Sequence, residues 1–416
     1  MRYATGESPA RDAATSTTAR PENGDRPPRG RLPATVITLG IVSLLTDLSS
    51  EMIYPLLPVF LTTVLAAGPQ ALGVIEGVAE STAALLKAFS GARSDRMRRR
   101  KPLIVTGYTL AGLARPLIGL AATWPAVLGL RFADRVGKGL RTSPRDALIT
   151  DATPPERRGE AFGLQRALDH AGAVAGPLVA AALLTGAGLS LRSVFLLAAV
   201  PAAVVVVVLI AWVREPARTA TTGAPRLVAA WRELGRPMRL VLAALLLFTL
   251  GNSTDAFLLL RLSQVGVSAA GIALLWAAFH VVKMLSAYAG GRVSDRLGRC
   301  PLVITGWAYY ACIYLAFAFI DARTAVIATF LAYGLYYGLT EPIERAWIAD
   351  LAPAHLRGAA FGFYHGVIGL AALPASLIFG LLWQRFGAAT AFLTGGALAL
   401  VATALLTLVP RADTQP

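Results

Sequence analysis

Ionisable side chains recur at helical spacing inside stretches that are otherwise apolar. Asp47 and Glu51 stand four residues apart in TDLSSEMIYP, and Glu76, Glu80 and Lys87 follow at intervals of four and seven, which puts them on one helix face. Arg131, Asp134, Arg135, Lys138, Arg141 and Arg145 crowd RFADRVGKGLRTSPR. Further along come Asn252 and Asp255 in GNSTDAFLLLR, His280 and Lys283, and Glu341 and Glu344 in TEPIER beside Tyr336 and Tyr337. Carboxylates in a low-dielectric setting can carry protons, because burial favours the neutral form and a nearby cation the charged one; a change of surroundings then loads or empties the group. The chain has four lysines, at 87, 101, 138 and 283, and three of them fall in these stretches. An ammonium can give up its charge on burial, whereas a guanidinium keeps it. Together these residues form a candidate pathway for protons and a small polar molecule.

The elements that must position them cross a membrane. Hydrophobic residues make up 55% of the 416 and charged ones 15%, too apolar a balance for a soluble chain. Runs such as SVFLLAAVPAAVVVVVLIAWV exceed the roughly 20 residues that span a bilayer as helix, and they lack the alternation of outer-membrane strands. The net charge of +15 gathers in the first tail, in RSDRMRRRK and between Arg214 and Arg239, while the alternate connections are nearly free of basic groups. This asymmetry places both termini in the cytoplasm and leaves no basic, aromatic-studded surface for nucleic acid. Twelve apolar segments are expected, six on each side of a polar linker at 214–238. The bundles run over 34–213 and 239–410, with a disordered cytoplasmic tail at 1–33 and a short one at 411–416. The fold class is all-α and integral to the cytoplasmic (inner) membrane.

The halves repeat. GARSDRMRRRKPLIVTGY from Gly91 returns as GRVSDRLGRCPLVITGW from Gly291, and DATPPERRGEAFG from Asp151 returns as DLAPAHLRGAAFG from Asp350. Matched pairs in the same order mark a duplicated six-helix unit, and hence two pseudo-symmetric bundles.

With these motifs the chain resembles the major facilitator superfamily (MFS). The family's loop signature is matched by Gly91, Asp95 and Arg96, with Arg98 in place of a glycine, and by Gly291, Asp295, Arg296, Gly298 and Arg299. Its fourth-helix pattern is altered to RFADRVGKG. GLQRALDHAGAVAGPLV, with Gly163, Gly172, Gly176 and Pro177, is similar to the fifth-helix signature of proton-coupled exporters; small residues allow close helix contact and proline a bend. The resemblance implies that helices three, six, nine and twelve lie outside, and the sparse charge there agrees. It also implies that Asp95 closes a cytoplasmic gate against Arg141 or Arg145, with Arg96, Asp295 and Arg296 in the matched loops. Arg166, Asp169 and His170 are expected to face the pathway.

No phosphate-binding Gly-x-x-x-x-Gly-Lys-Ser/Thr loop, metal-ligand cluster or nucleophile constellation occurs, so neither an enzyme nor a cofactor is expected. The resemblance implies an alternating-access secondary transporter, a monomer in the lipid bilayer, that exports a small organic molecule in exchange for protons. The cluster Arg131, Arg135, Lys138 and Arg141 supports another reading, proton-coupled uptake of an anionic metabolite. A non-transporting sensor or scaffold would have no need of so many intramembrane carboxylates.

Overall fold

A chain crossing hydrocarbon must satisfy every backbone N–H and C=O internally, and the apolar runs do so as helices. The computed structural model describes residues 32–409 apart from 96, 98, 155–156, 216–230 and 354–355, and within these residues it contains no strand. The tails and most of the linker expected from the sequence lie outside the described residues. The spans are α1 (Ala34–Val64), α2 (Pro69–Asp95), α3 (Lys101–Leu120), α4 (Trp124–Ala152), α5 (Arg158–Thr185) and α6 (Leu191–Trp212). The second set is α7 (Arg236–Gln264), α8 (Ala269–Leu297), α9 (Arg299–Phe319), α10 (Arg323–Leu351) and a run Arg357–Leu406. Gly387, at φ +88°, breaks that run into α11 (357–386) and α12 (388–406). Among the described residues eight stretches are apolar and long enough to cross a membrane, and one of them, Ala360–Leu406, holds two spans. The three spans that fall short, α2, α4 and α10, are those into which the sequence writes the densest ionisable groups.

Within the first half α1 packs on α5 and α6, α2 on α4, and α3 on α4 and α6; in the second, α7 and α9 pack on the α11–α12 run and α8 and α9 on α10. Two seams join the halves, α2 against α11 and α5 against α8. The first seam is built of small residues. A Cβ on Gly380 would come within 2.8 Å of the Pro69 carbonyl, and the Ser81 hydroxyl donates to the Gly369 carbonyl at 2.7 Å. The charge-poor α3, α6 and α12 turn Leu113, Leu120, Val200, Val207, Ile210 and Val401 outward, as lipid-facing helices do. A reciprocal cap ties α3 to α6: the Glu215 carboxylate accepts from the Arg100 and Lys101 amides, and the Lys101 ammonium donates to the carbonyls of Ile210 and Val213. Each satisfies backbone groups that a helix end leaves unpaired.

Two spans are interrupted at mid-depth. In α1 the α-helix stops at Glu51 and resumes through the tighter turn Tyr54–Leu56. In α7 it stops at Gly251 and restarts at Ala256, leaving 252–255 unwound. Beyond both breaks Leu56, Leu57 and Phe60 of α1 and Phe257, Leu258 and Leu260 of α7 are 0–2% exposed and close that end of the bundle.

The α3–α4 crossing depends on two glycines: a Cβ on Gly137 would press on the Gly107 carbonyl and lie 2.8 Å from the Ala111 amide, whereas one on Gly163 would meet nothing within 4 Å. Gly137→Ala is therefore expected to destabilise the protein by about 1–3 kcal/mol through overpacking, and Gly163→Ala to stabilise it by up to about 1 kcal/mol through helix propensity. Thermal unfolding of the two variants in detergent checks the contrast.

Candidate functional site

Between the halves lies a cavity of about 590 Å³. The first half contributes Asp47, Ser50, Glu51 and Tyr54 from α1, Glu80 from α2, Arg115 from α3, Arg131, Arg135, Lys138 and Arg141 from α4, and Arg166, Asp169 and His170 from α5. The second contributes Thr249, Asn252 and Asp255 from α7, His280 and Lys283 from α8, and Tyr337 and Glu341 from α10. The apolar plug beyond the helix breaks shuts one end, while at the other Arg166 is 56% exposed. The cavity thus opens toward the end where α2 leads into α3 and α8 into α9.

One wall is ionic. The Arg131 guanidinium grips Glu76 through both carboxylate oxygens, at 2.6 and 2.8 Å, and reaches Asp134 at 3.5 Å. Asp134 also accepts from Arg115 at 2.6 Å, and Arg135 pairs with Glu80 at 3.2 Å. A forked guanidinium suits this arrangement because it serves two acids in one plane. Glu76 and Asp134 are 0% and 1% exposed. They stand behind the wall as counter-ions, while Arg131 and Arg135 form its surface.

The facing wall is aromatic. Asp255, in the unwound part of α7, accepts from the Tyr333 hydroxyl at 3.0 Å and the Tyr337 hydroxyl at 2.8 Å. The freed Gly251 carbonyl accepts from Tyr310 at 3.2 Å, and Ser253 shares a hydrogen bond with Tyr314 at 3.0 Å. Non-helical backbone is tolerated at membrane depth where protein groups satisfy it or it lines a cavity. The Lys283 ammonium stands 3.6 Å from the centre of the Tyr337 ring and 3.8 Å from Glu341, which also takes Arg345.

The walls meet at two polar contacts beside the plug. The Trp276 indole N–H donates to the Glu51 Oε2 at 2.8 Å, and the Tyr54 hydroxyl meets that of Thr254 at 3.2 Å, with the Tyr54 and Trp276 rings 5.4 Å apart.

Of the residues singled out in the sequence, the structure brings Asp47, Glu51, Glu80, Arg131, Arg135, Lys138, Asp255, Lys283 and Glu341 to the cavity. It sets four off it. Glu76 and Asp134 are buried counter-ions. Lys87 lies further along α2, where its carbonyl accepts from Ser90 and Ser143. Glu344 turns away to accept from Trp307 at 2.7 Å and Tyr364 at 3.0 Å. Arg166, Asp169 and His170 do line the cavity. Of the gate, Arg96 and the side chains of Asp95, Asp295 and Arg296 lie outside the described residues, while Gly91 and Gly291 are helical. Both arginines considered as gate partners have other company: Arg141 stacks 4.1 Å from the centre of the Tyr108 ring, and Arg145 holds Asp146 at 2.8 Å and Ser43 at 3.1 Å. In the fifth-helix motif, a Cβ on Gly176 would lie 2.7 Å from the Leu48 carbonyl and 2.9 Å from the Glu51 Cβ, and Gly172 seats against Leu44. Sequence reasoning missed Trp276 and Tyr333. The one signal for Trp276 was its place one helical turn before His280.

A two-bundle, membrane-spanning helical protein with a charged central cavity is a class with solved examples. The family profile of the Major Facilitator Superfamily matches residues 39–264 and 256–416, and the chain belongs to that superfamily; it is a transporter and not an enzyme. It is 32% identical over 380 residues, 90% of this chain and 94% of the relative, to an uncharacterized MFS-type transporter of Methanocaldococcus jannaschii. It is 27% identical to the multidrug resistance protein MdtH of Sodalis glossinidius, over 77% of this chain and 79% of that one. The crystal structure of the nucleoside transporter NupG superposes with a TM-score of 0.75 at 12% identity, covering 90% and 98% of the two chains, and supports the fold alone.

The buried pair yields a test. Glu76→Leu leaves the Arg131 guanidinium with only Asp134, at 3.5 Å, and is expected to cost about 3 kcal/mol, read as loss of monodisperse protein after extraction. Replacing both, Glu76→Leu with Arg131→Leu, is expected to recover much of that yield.

Proposed function

We propose that this transporter is a proton-coupled exporter of a small organic molecule, working by alternating access from the cytoplasmic membrane as a monomer. The observation that carries the reading is Glu51. It lies in the cavity wall, and the same carboxylate that can take up a proton accepts the Trp276 hydrogen bond from the other half. A change of charge on Glu51 therefore alters how the halves are held together, and coupling needs that kind of differential interaction between two conformations. Asp47, one turn away on α1, and Asp255, opposite on α7, are the supporting carboxylates. Gly176 rests on the Glu51 backbone, so a bend at Pro177 in α5 is transmitted to the same place. The clustering of basic residues near the α2–α3 connection and the linker supports a cavity mouth and both termini on the cytoplasmic side. The similarity to MdtH, named for multidrug resistance, supports export. Closure of the mouth falls to Asp95 and the matched Asp295 loop.

Reconstitution into proteoliposomes with an imposed pH gradient tests the proposal. Glu51→Gln keeps an oxygen acceptor for Trp276 but cannot ionise, so it is expected to abolish uphill transport driven by the gradient while sparing exchange of substrate at zero gradient. Uphill accumulation by Glu51→Gln with an unchanged pH profile would refute the assignment.

A further inference from the structure

The ionic wall is unevenly compensated. Of its five cations on α3 and α4, Arg115, Arg131 and Arg135 each have a carboxylate within ion-pair distance. Lys138 and Arg141 have none among the described residues, yet both line the cavity. Arg141 is 6% exposed, and its Nη1 has no hydrogen-bond partner. Its one described side-chain contact is the Tyr108 ring, which leaves the edge of the guanidinium unused. Asp47, Glu51 and Glu80 act on Lys138 through space, and Asp47 and Asp134 on Arg141, but none is at ion-pair distance. A buried guanidinium nitrogen without an acceptor is costly; Arg135 also has such a nitrogen, its Nε, but still reaches the Glu80 carboxylate at 3.2 Å, whereas Arg141 has no carboxylate at ion-pair distance among the described residues.

Across the cavity stands a second unpartnered group. Both ring nitrogens of His280 are buried without a hydrogen bond among the described residues, and the ring sits edge-on to Trp276, with centroids 5.0 Å apart, and to Phe279, at 5.8 Å. Lys283 and His170 are its charged or titratable neighbours.

The geometry points to an organic anion as the ligand of this cavity: its acidic group is held by Lys138 and Arg141 of the first half, and a second polar group meets His280 of the other. Carboxylate, sulfonate and phosphate esters share the needed chemistry, a negative oxygen pair that a guanidinium edge and an ammonium can both reach. Such a molecule touches both halves at once, as a transported ligand must if its binding is to bias their arrangement. The inference rests on the cavity being the transport site, and it holds for either direction of movement.

The test is binding by the purified full chain in detergent. A size-matched panel of aromatic and aliphatic carboxylates, sulfonates and phosphate monoesters, with their neutral amides, their amine counterparts and short-chain phosphatidylglycerol, is scored by thermal stabilisation. Stabilising compounds are expected among the acids, and hits confined to phosphatidylglycerol would identify a lipid source for the same chemistry. For each acidic hit, Lys138→Gln and Arg141→Gln are expected to weaken affinity about tenfold to a hundredfold, the value of one charge-assisted hydrogen bond. Arg141→Lys, which keeps the charge if Arg141→Gln does not fold, is expected to retain most of it, and His280→Phe to weaken the hit less. Stabilisation by amines or amides in place of acids, acidic hits indifferent to Lys138→Gln, or no acidic hit at all would overturn the inference. Transport of a cation in proteoliposomes would overturn it while leaving the exporter reading intact, whereas acid binding without proton-driven transport would do the reverse.

Discussion

A charge inside hydrocarbon must find a counter-charge or a polar cavity, and the placement of Arg131 follows from that constraint. Its guanidinium binds Glu76 on α2 and Asp134 on its own helix, and Asp134 also draws in Arg115 from α3. One network therefore clamps three helices of the first half. Because the members share counter-ions, displacing one weakens several contacts at once, so the wall resists movement. Arg135 with Glu80 extends the network to the cavity surface, where Glu80 is 46% exposed on its side chain.

The second half holds its site by other means. Tyrosines from α9 and α10 supply the hydrogen bonds that the unwound part of α7 lacks, and their rings stack on one another, as Tyr333 and Tyr336 do at 5.6 Å. Between the halves the described polar links near the cavity are few: Glu51 with Trp276, Tyr54 with Thr254, and Ser81 with the Gly369 carbonyl. Stiff halves that meet along two packed helix seams, with few polar links between them, suit rocking about a central site.

The spans, the duplication and the charge-bearing faces were legible because each is periodic along the chain. What stayed hidden depends on helix rotation and crossing. Glu76 and Glu80 are one turn apart and look equivalent in sequence, yet one is sealed behind Arg131 and the other faces the cavity. Glu344 shares a helix with Glu341 but points at Trp307 and Tyr364. The fifth-helix glycines were read as one set, and the structure divides them: Gly172 and Gly176 seat on α1 and Gly163 meets nothing. The breaks in α1 and α7 left only Pro55, Pro58 and Gly251 as signs, and the Trp276 contact with Glu51 spans 225 residues, beyond any local pattern.

The duplication also has a history written in its register. Gly91 matches Gly291, and after a one-residue deletion Pro102 matches Pro301. The packing keeps that register, since Ser90 touches Gly139 where Gly290 touches Gly338. Carried onto the ionic wall, it sets Glu76 and Arg131 opposite Trp276 and Phe330, and Arg115 and Asp134 opposite Tyr314 and Tyr333. These two salt bridges of the first half, Glu76–Arg131 and Arg115–Asp134, are answered in the second by pairs of rings with centroids 6.4 Å apart. At these two sites the copies differ by whole pairs, and exchanging one partner alone would weaken the pairing of a charge buried in the membrane.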